Sequence, residues 1–251
     1  MSIAHDRTAW IKGGENLCRT SAARPARPYR LVLLGAPGVG KGTQAELLSA
    51  QLGACALSTG DVFRAAKAAG DCGVSDAMRT ALEAMRRGEL VSDETVLALV
   101  VERARCLRCG GGFLLDGFPR TIAQADALLK LLAVNQVKLD AVISYELPLK
   151  QIVTRLSGRQ TCNQCKAVFH VVSRAPRREG ICDHCGGQLV QREDDRPESI
   201  CTRIAAYEAN TRPLTEFFRV KNLLLTIEAY GSPEDIHDRT LKALSVAPKL
   251  K

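Results

Sequence analysis

Aromatic residues make up only 4% of the 251 positions, and tryptophan occurs once. Modules that bind single-stranded nucleic acid stack bases on rings interleaved with basic residues, so this scarcity argues against such a module despite a net charge of +8. Long apolar runs are missing too. None approaches the roughly 18 residues of a membrane helix, so a soluble chain with no membrane partner is expected. The first 28 residues lack an apolar h-region and carry Asp6 and Glu15, which speaks against a secretory signal. They read as a mobile tail, and the same acidic residues argue against an organelle transit peptide. The chain shows no internal repeat and no low-complexity tract.

What is present fits an ordinary globular chain, with 46% hydrophobic and 25% charged residues. The excess of Lys and Arg suits a partner rich in negative charge, whether a phosphorylated small molecule, nucleic acid or an anionic surface. Short apolar runs at Arg30–Gly35, Ala54–Ser58, Phe113–Asp116, Asp140–Leu147 and Leu223–Ala229 read as strands. Helical patterns lie between most of them, at Thr121–Leu132, Pro148–Leu156 and Glu198–Asn210, with another at Pro233–Leu244 after the last. Strands alternating with helices predict a parallel α/β sheet with helices on both faces. Two stretches depart from the alternation: a helix-rich segment from about Thr59 to Val91, and Gly158–Asp195, which carries four cysteines.

The first strand runs into Gly35-Ala-Pro-Gly-Val-Gly-Lys-Gly-Thr-Gln44. A glycine-rich turn between strand and helix lets backbone N–H groups and the helix N-terminus face an anion, while Lys41 reaches the outer phosphates of a nucleotide. The position after the lysine is Gly42, where the common pattern has a Ser or Thr whose hydroxyl holds magnesium.

This variant loop is similar to that of the nucleoside monophosphate kinases, and the chain resembles the adenylate kinase branch of that family from Tyr29 to Leu244. Five further motifs stand in family order: LSTGDVFR (57–64), GELVSDE (88–94), FLLDGFPRTIAQ (113–124), RLSGR (155–159) and QREDDRPESICTR (191–203). The resemblance implies a P-loop NTPase-type core at 29–57, 92–157 and 196–251, a helical AMP-binding insertion at 58–91 and a zinc-ribbon lid at 158–195. It also implies reversible phosphoryl transfer from ATP to AMP, giving two ADP, by a cytoplasmic monomer. Gly38, Val39, Gly40, Lys41, Gly42, Thr43, Arg155, Arg159, Val168 and Phe169 would bind ATP, with His170 beside the last two. Thr59, Arg64, Glu89, Leu90, Val91, Gly117, Phe118, Pro119, Arg120, Gln124, Arg192 and Arg203 would bind AMP. Lys41, Arg120, Arg159, Arg192 and Arg203 would carry catalysis, and Asp116 would meet magnesium through water. Arginine suits this work because its planar fork binds phosphate bidentately and keeps its charge.

Three features depart from the commonest bacterial pattern: a longer 64–88 segment, Glu89 where Lys is frequent, and GSPED near Ser232 in place of a Lys-containing loop. The alternatives within the class are another nucleoside monophosphate as acceptor or GTP as donor.

Ten cysteines remain. Cys162, Cys165, Cys182 and Cys185 form two C-x2-C pairs around a 16-residue spacer, the spacing of a zinc ribbon. Disulfides are the competing reading. The resemblance favours structural zinc, since many members carry a ribbon at this place. Cys106 and Cys109 form a third C-x2-C without a partner pair and read as coincidental.

Overall fold

The computed structural model describes residues 10–11, 27–68 and 76–246. Its core is five parallel strands: β1 (Tyr29–Gly35), β2 (Cys55–Ser58), β3 (Gly112–Asp116), β4 (Ala141–Glu146) and, last in the chain, β8 (Leu224–Glu228). They lie in the order β2-β3-β1-β4-β8. Each expected strand is present with ends shifted by a residue or so. The central strands read as unbroken apolar runs because both faces are covered. Along β1, Leu31 and Leu33 point into one core while Val32 and Leu34 point into the other.

The first core packs against α1 (Lys41–Leu52) and the C-terminal α10 (Pro233–Val246). The second packs against α4 (Asp93–Glu102), the short α5 (Ala104–Leu107), α6 (Ile122–Val134) and α9 (Leu214–Arg219). Thr121 caps α6 by accepting from the Gln124 N–H, and Ser92 caps α4 by accepting from Thr95. The helix expected at 198–210 is α8 (Pro197–Ala206), and its last residues form a π-turn at Tyr207–Thr211.

Two excursions leave this sheet. After β2 the chain forms α2 (Thr59–Ala68) and α3 (Asp76–Arg87). After α7 (Leu149–Ser157) it forms a separate antiparallel sheet of β5 (Arg159–Cys162), β6 (Val168–His170) and β7 (Leu189–Val190), in the order β6-β5-β7. Most of the segment expected to be a mobile tail, and residues 69–75 of the first excursion, lie outside the described residues. Within that tail, however, Trp10 is fully buried in the core shared with Leu57, Val62 and Phe63. A large ring that leaves water this completely anchors its stretch of chain, so the tail expectation does not hold at this residue.

Candidate active site

The sheet ends at its C-terminal edge in two residues that set up the site, Gly35 and Asp116. Gly38 and Gly40 have φ of 81° and 108°, a conformation side chains resist, and a Cβ on Gly38 would stand 2.6 Å from Leu156 Cγ. Neither side-chain cap nor acidic residue closes the N-terminus of α1, which leaves its first N–H groups and its dipole facing the loop. Packing does not demand glycine at position 42. The nearest atom to a Cβ there is Asp116 Oδ2 at 3.9 Å, so the residue leaves open the space between loop and carboxylate.

Lys41 Nζ donates to the Gly35 and Ala36 carbonyls at 2.7 and 3.0 Å. Loss of water lowers its pKa to about 8; Asp116 pulls the other way, and Arg120, Arg203 and Arg159 add to the depression. The arginines themselves show the same strain. Burial and then the charges of Arg159 and Arg64 bring Arg192 down to about 9. Arg120 is lowered by burial and by Arg203, and Arg203 by burial, an effect that Asp194 opposes. Six cations from five separate motifs therefore feel one another within one partly buried space. Such a space is stabilised by an incoming polyanion.

Two acidic residues order this cluster, and sequence reasoning gave neither a role. Asp195 is fully buried and receives Arg159 as a fork, Nε at 2.7 Å and Nη2 at 2.6 Å, while Arg203 Nη1 donates to it at 2.9 Å. Asp194 pairs with Arg203 at 3.1 Å. Burial works against the charged form of Asp194, yet Arg203, Arg159 and Arg192 hold its carboxyl below the usual range. Arg192 is aimed by the Thr161 hydroxyl, which accepts from its Nε at 2.9 Å. The adjacent acidic pair in the REDD stretch was the available signal.

Sharing Arg120 with this cluster, a cleft is lined by Thr59, Phe63, Val91, Gly117, Arg120 and Gln124, among others. Thr59 Oγ1 and Arg120 Nε both donate to the Gly117 carbonyl. Gln124 is buried; its Oε1 accepts from the Arg120 N–H at 2.8 Å, and its Nε2 donates to Asp93 Oδ1 at 2.7 Å. One donor and one acceptor position of the amide remain for a ligand. Asp93, which also accepts from Thr121, thus orients the amide, a role not foreseen from sequence. Arg64 is held by Asp61 at 2.6 Å.

Several expected contacts are not side-chain contacts. Phe118 is buried in the core and Phe169 in the small core of the second sheet with Cys162, Cys182 and Leu189. Both rings are occupied in packing, so only their backbones are available to a nucleotide. Val168 is half-buried, while His170 accepts two N–H groups on Nδ1 and faces the Thr154 carbonyl with Nε2, tying the second sheet to α7. Glu89 is exposed and turned to Arg87, and Leu90 is half-buried. Pro119 follows a cis peptide bond and is buried. Arg155 rests on the loop, donating to the Val39 carbonyl at 3.1 Å, and Thr43 is half-buried in the first turn of α1.

In the second sheet the sulfurs of Cys162, Cys165, Cys182 and Cys185 all lie within 4.8 Å of one another, and none is in a disulfide. The closest pairs are 3.5 Å apart, near the edge of about 3.8 Å that a tetrahedron of thiolates around zinc would have. Each pair sits on a knuckle whose next residue, Lys166 or Gly186, has a positive φ. The N–H groups of Gln164 and His184 point at the sulfurs of Cys162 and Cys182. Although burial pushes the Cys162 thiol up, N–H donors including those of Cys165 and Gln164 bring it down, toward the thiolate a metal needs, while burial and the neighbouring sulfurs push Cys165 up. Elsewhere, Cys109 approaches Cys55 with sulfurs 3.7 Å apart, while Cys18 and Cys72 lie outside the described residues. Among the described residues no helix is long and apolar enough to cross a membrane.

Comparison with known proteins agrees with this geometry. The family model described as adenylate kinase matches residues 33–223. A protein named adenylate kinase from Caldicellulosiruptor saccharolyticus is 49% identical over 218 residues, covering 86% of this chain and 99% of the relative. Relatives of the same name from Streptomyces griseus and Archaeoglobus fulgidus are 42% and 43% identical, covering 87% and 82% of this chain and 98% and 93% of their own lengths. With this match running through the loop, both excursions and the cationic cluster, the chain belongs to the adenylate kinase family, enzymes of the nucleoside monophosphate kinase type that transfer a phosphoryl group between adenine nucleotides.

Proposed function

We propose that the protein transfers the γ phosphoryl of ATP directly to AMP, giving two ADP, and runs the reaction in both directions. The observation that supports this reading is the gathering of Lys41, Arg64, Arg120, Arg159, Arg192 and Arg203 around one partly buried space beside the glycine loop, where burial lowers Lys41, Arg120, Arg192 and Arg203 and neighbouring arginines add to it, as suits a cleft for two polyanions. An AMP phosphate oxygen attacks the γ phosphorus in line, the bond to the β–γ bridging oxygen breaks, and ADP leaves on that oxygen. There is no covalent step for a side chain to perform, so positioning and charge neutralisation carry catalysis.

In this reading Arg64 and Arg120 hold the AMP phosphate, and Thr59, Gln124 and the backbone at Glu89–Val91 meet its base. The loop from Gly38 to Thr43 and Lys41 hold the ATP phosphates, with Arg155 against the adenine and the backbone at Val168–Phe169 nearby. Arg159, Arg192 and Arg203 clamp the group in transit. Asp116, across from Gly42, would accept from water on a magnesium ion bound with ATP, and that ion would supply neutralisation of phosphate oxygens. Residues 158–195 close as a lid and exclude water that would otherwise take the phosphoryl group; the adenylate kinase lid is itself a standard example of such gating. The four cysteines hold zinc as a structural ion, since four thiolates leave no open position for a substrate. The same reading makes the protein a monomer acting on free nucleotides in the cytoplasm.

A coupled assay of ATP against AMP, GMP, CMP and UMP tests the reading. AMP should lead in kcat/KM by about tenfold or more, because mispaired polar groups in a buried base pocket cost about 1–3 kcal/mol. Equal turnover of UMP would overturn it.

A further inference from the structure

Trp10 lies outside the 33–223 stretch that matches the family, yet it is the largest fully buried side chain described and the only tryptophan. Its indole Nε1 donates to the Ser58 carbonyl at 2.9 Å. Ser58 ends β2, the edge strand of the sheet, and the next residue is Thr59, which lines the cleft. The Ser58 hydroxyl in turn accepts from the Asp61 N–H, and Asp61 holds Arg64. At its other end, the Trp10 carbonyl accepts from Arg103 Nε at 2.6 Å. Arg103 is buried and caps the C-terminus of α4, donating also to the Leu99 carbonyl, and α4 begins with the Asp93 that orients Gln124.

We infer that Trp10 is a positioning residue for the monophosphate site, a strut contributed by the N-terminal segment that fixes the β2–α2 junction against α4. The inference rests on the proposed assignment of this cleft to AMP. The β2–α2 junction carries Thr59 directly beside the Trp10 contact, α4 carries Asp93 at the end opposite Arg103, about 15 Å along the helix, and neither carries the phosphate loop. Packing links it as well, since Val62 and Phe63 share its core and Phe63 lines the cleft. Removing the indole leaves a void in the core that Phe63 shares and takes a donor from the Ser58 carbonyl, both on the monophosphate side, while the main-chain carbonyl that Arg103 uses stays.

The test uses the full chain. Trp10→Ala should raise KM for AMP about fivefold or more and leave KM for ATP within about twofold, the first figure being what one lost buried hydrogen bond is worth. Trp10→Phe, which keeps one ring and loses the donor with part of the buried volume, should give the same split at smaller size. In the unaltered protein the single tryptophan should change its emission as AMP saturates and not as ATP alone does, a readout that holds even if Trp10→Ala fails to fold. Equal rises in both KM values, or emission indifferent to AMP, would make Trp10 a general stabiliser and overturn the proposal. If the unaltered protein prefers another monophosphate, the base assignment fails by itself, and the same KM split is read with the preferred acceptor.

Discussion

The central sheet and the second sheet order the groups proposed to bind phosphate by opposite means. Around the loop, main chain and apolar mass do the work: β1 and β4 are buried on both faces, and the anion-facing geometry comes from positive-φ glycines between a strand and a helix. In the second sheet the buried cluster amounts to Cys162, Phe169, Cys182 and Leu189, with Ala167 partly buried beside them. So small a core cannot order about 40 residues, and on the proposed reading four sulfurs around a metal supply what it lacks. The difference teaches where each half is vulnerable. The loop should lose function without losing its fold, and the lid should lose its fold before its chemistry.

Lys41→Ala breaks the comparison hardest if it is wrong. It should lower kcat by about a hundredfold or more, as loss of an electrostatic stabiliser does elsewhere. The thermal midpoint should hold or rise, because a cation partly stripped of water is removed from the native state. A midpoint that fell along with kcat would show that the loop's order depends on its lysine.

Cys182→Ala tests the other half. Metal content should fall from about one equivalent to none, and amides of β5 to β7 should lose protection from exchange while those of β1 and β4 keep theirs. Some turnover should survive at low temperature, because the loop and its cations remain. Strong chelators should reproduce the variant's lability. Metal-free protein with all four sulfurs in disulfides would reverse the reading.

The seam between the halves is Asp195, which sits in the chain just after the second sheet and grips Arg159 from β5 and Arg203 from α8. Asp195→Asn keeps the shape and removes the charge that spaces these two cations. A loss of about thirtyfold in kcat/KM is expected, as one partner of a buried pair goes missing. An effect confined to stability would make the carboxylate a brace and not an organiser of the clamp.

How much of this was legible in the sequence depends on what each residue's signal consists of. The loop announced itself because its chemistry is backbone chemistry, and glycine spacing between an apolar run and a helix has few other meanings. The strands were legible from continuous apolarity, with ends off by about a residue. The ribbon was legible because sulfurs must meet at fixed spacing. Side-chain direction was not legible. Phe118 and Phe169 carry motif positions, yet their rings turn inward, and no periodicity in a two- or three-residue window distinguishes a ligand-facing ring from a core one. Nor were the partners of partners: Asp93 and Asp195 act on Gln124, Arg159 and Arg203 across 31, 36 and 8 positions of chain, which only the fold brings together. Trp10 had no signal beyond being large and apolar in a polar segment.

The smallest effect comes from pH and separates function from stability in a single side chain. Lys41 titrates near 8 in the folded protein without nucleotide, against 10.5 for an ordinary lysine. On the proposed reading its charge serves phosphate binding, so kcat/KM for ATP should fall about tenfold from pH 7 to pH 9, as the charged fraction does for a group of that pKa. Stability runs the other way. A lysine whose pKa is lowered by folding binds fewer protons in the native state than in the unfolded one between about 8 and 10.5, so over that window its contribution to stability improves with rising pH and is lost again as pH falls through 8. Lys41→Ala should abolish the rise in thermal midpoint that Lys41 contributes between pH 8 and 10, and what remains of kcat/KM should no longer follow a group near 8. If the alkaline limb of kcat/KM stayed put in the variant, another group would own it, and Arg192, brought down to about 9, is the one to test next.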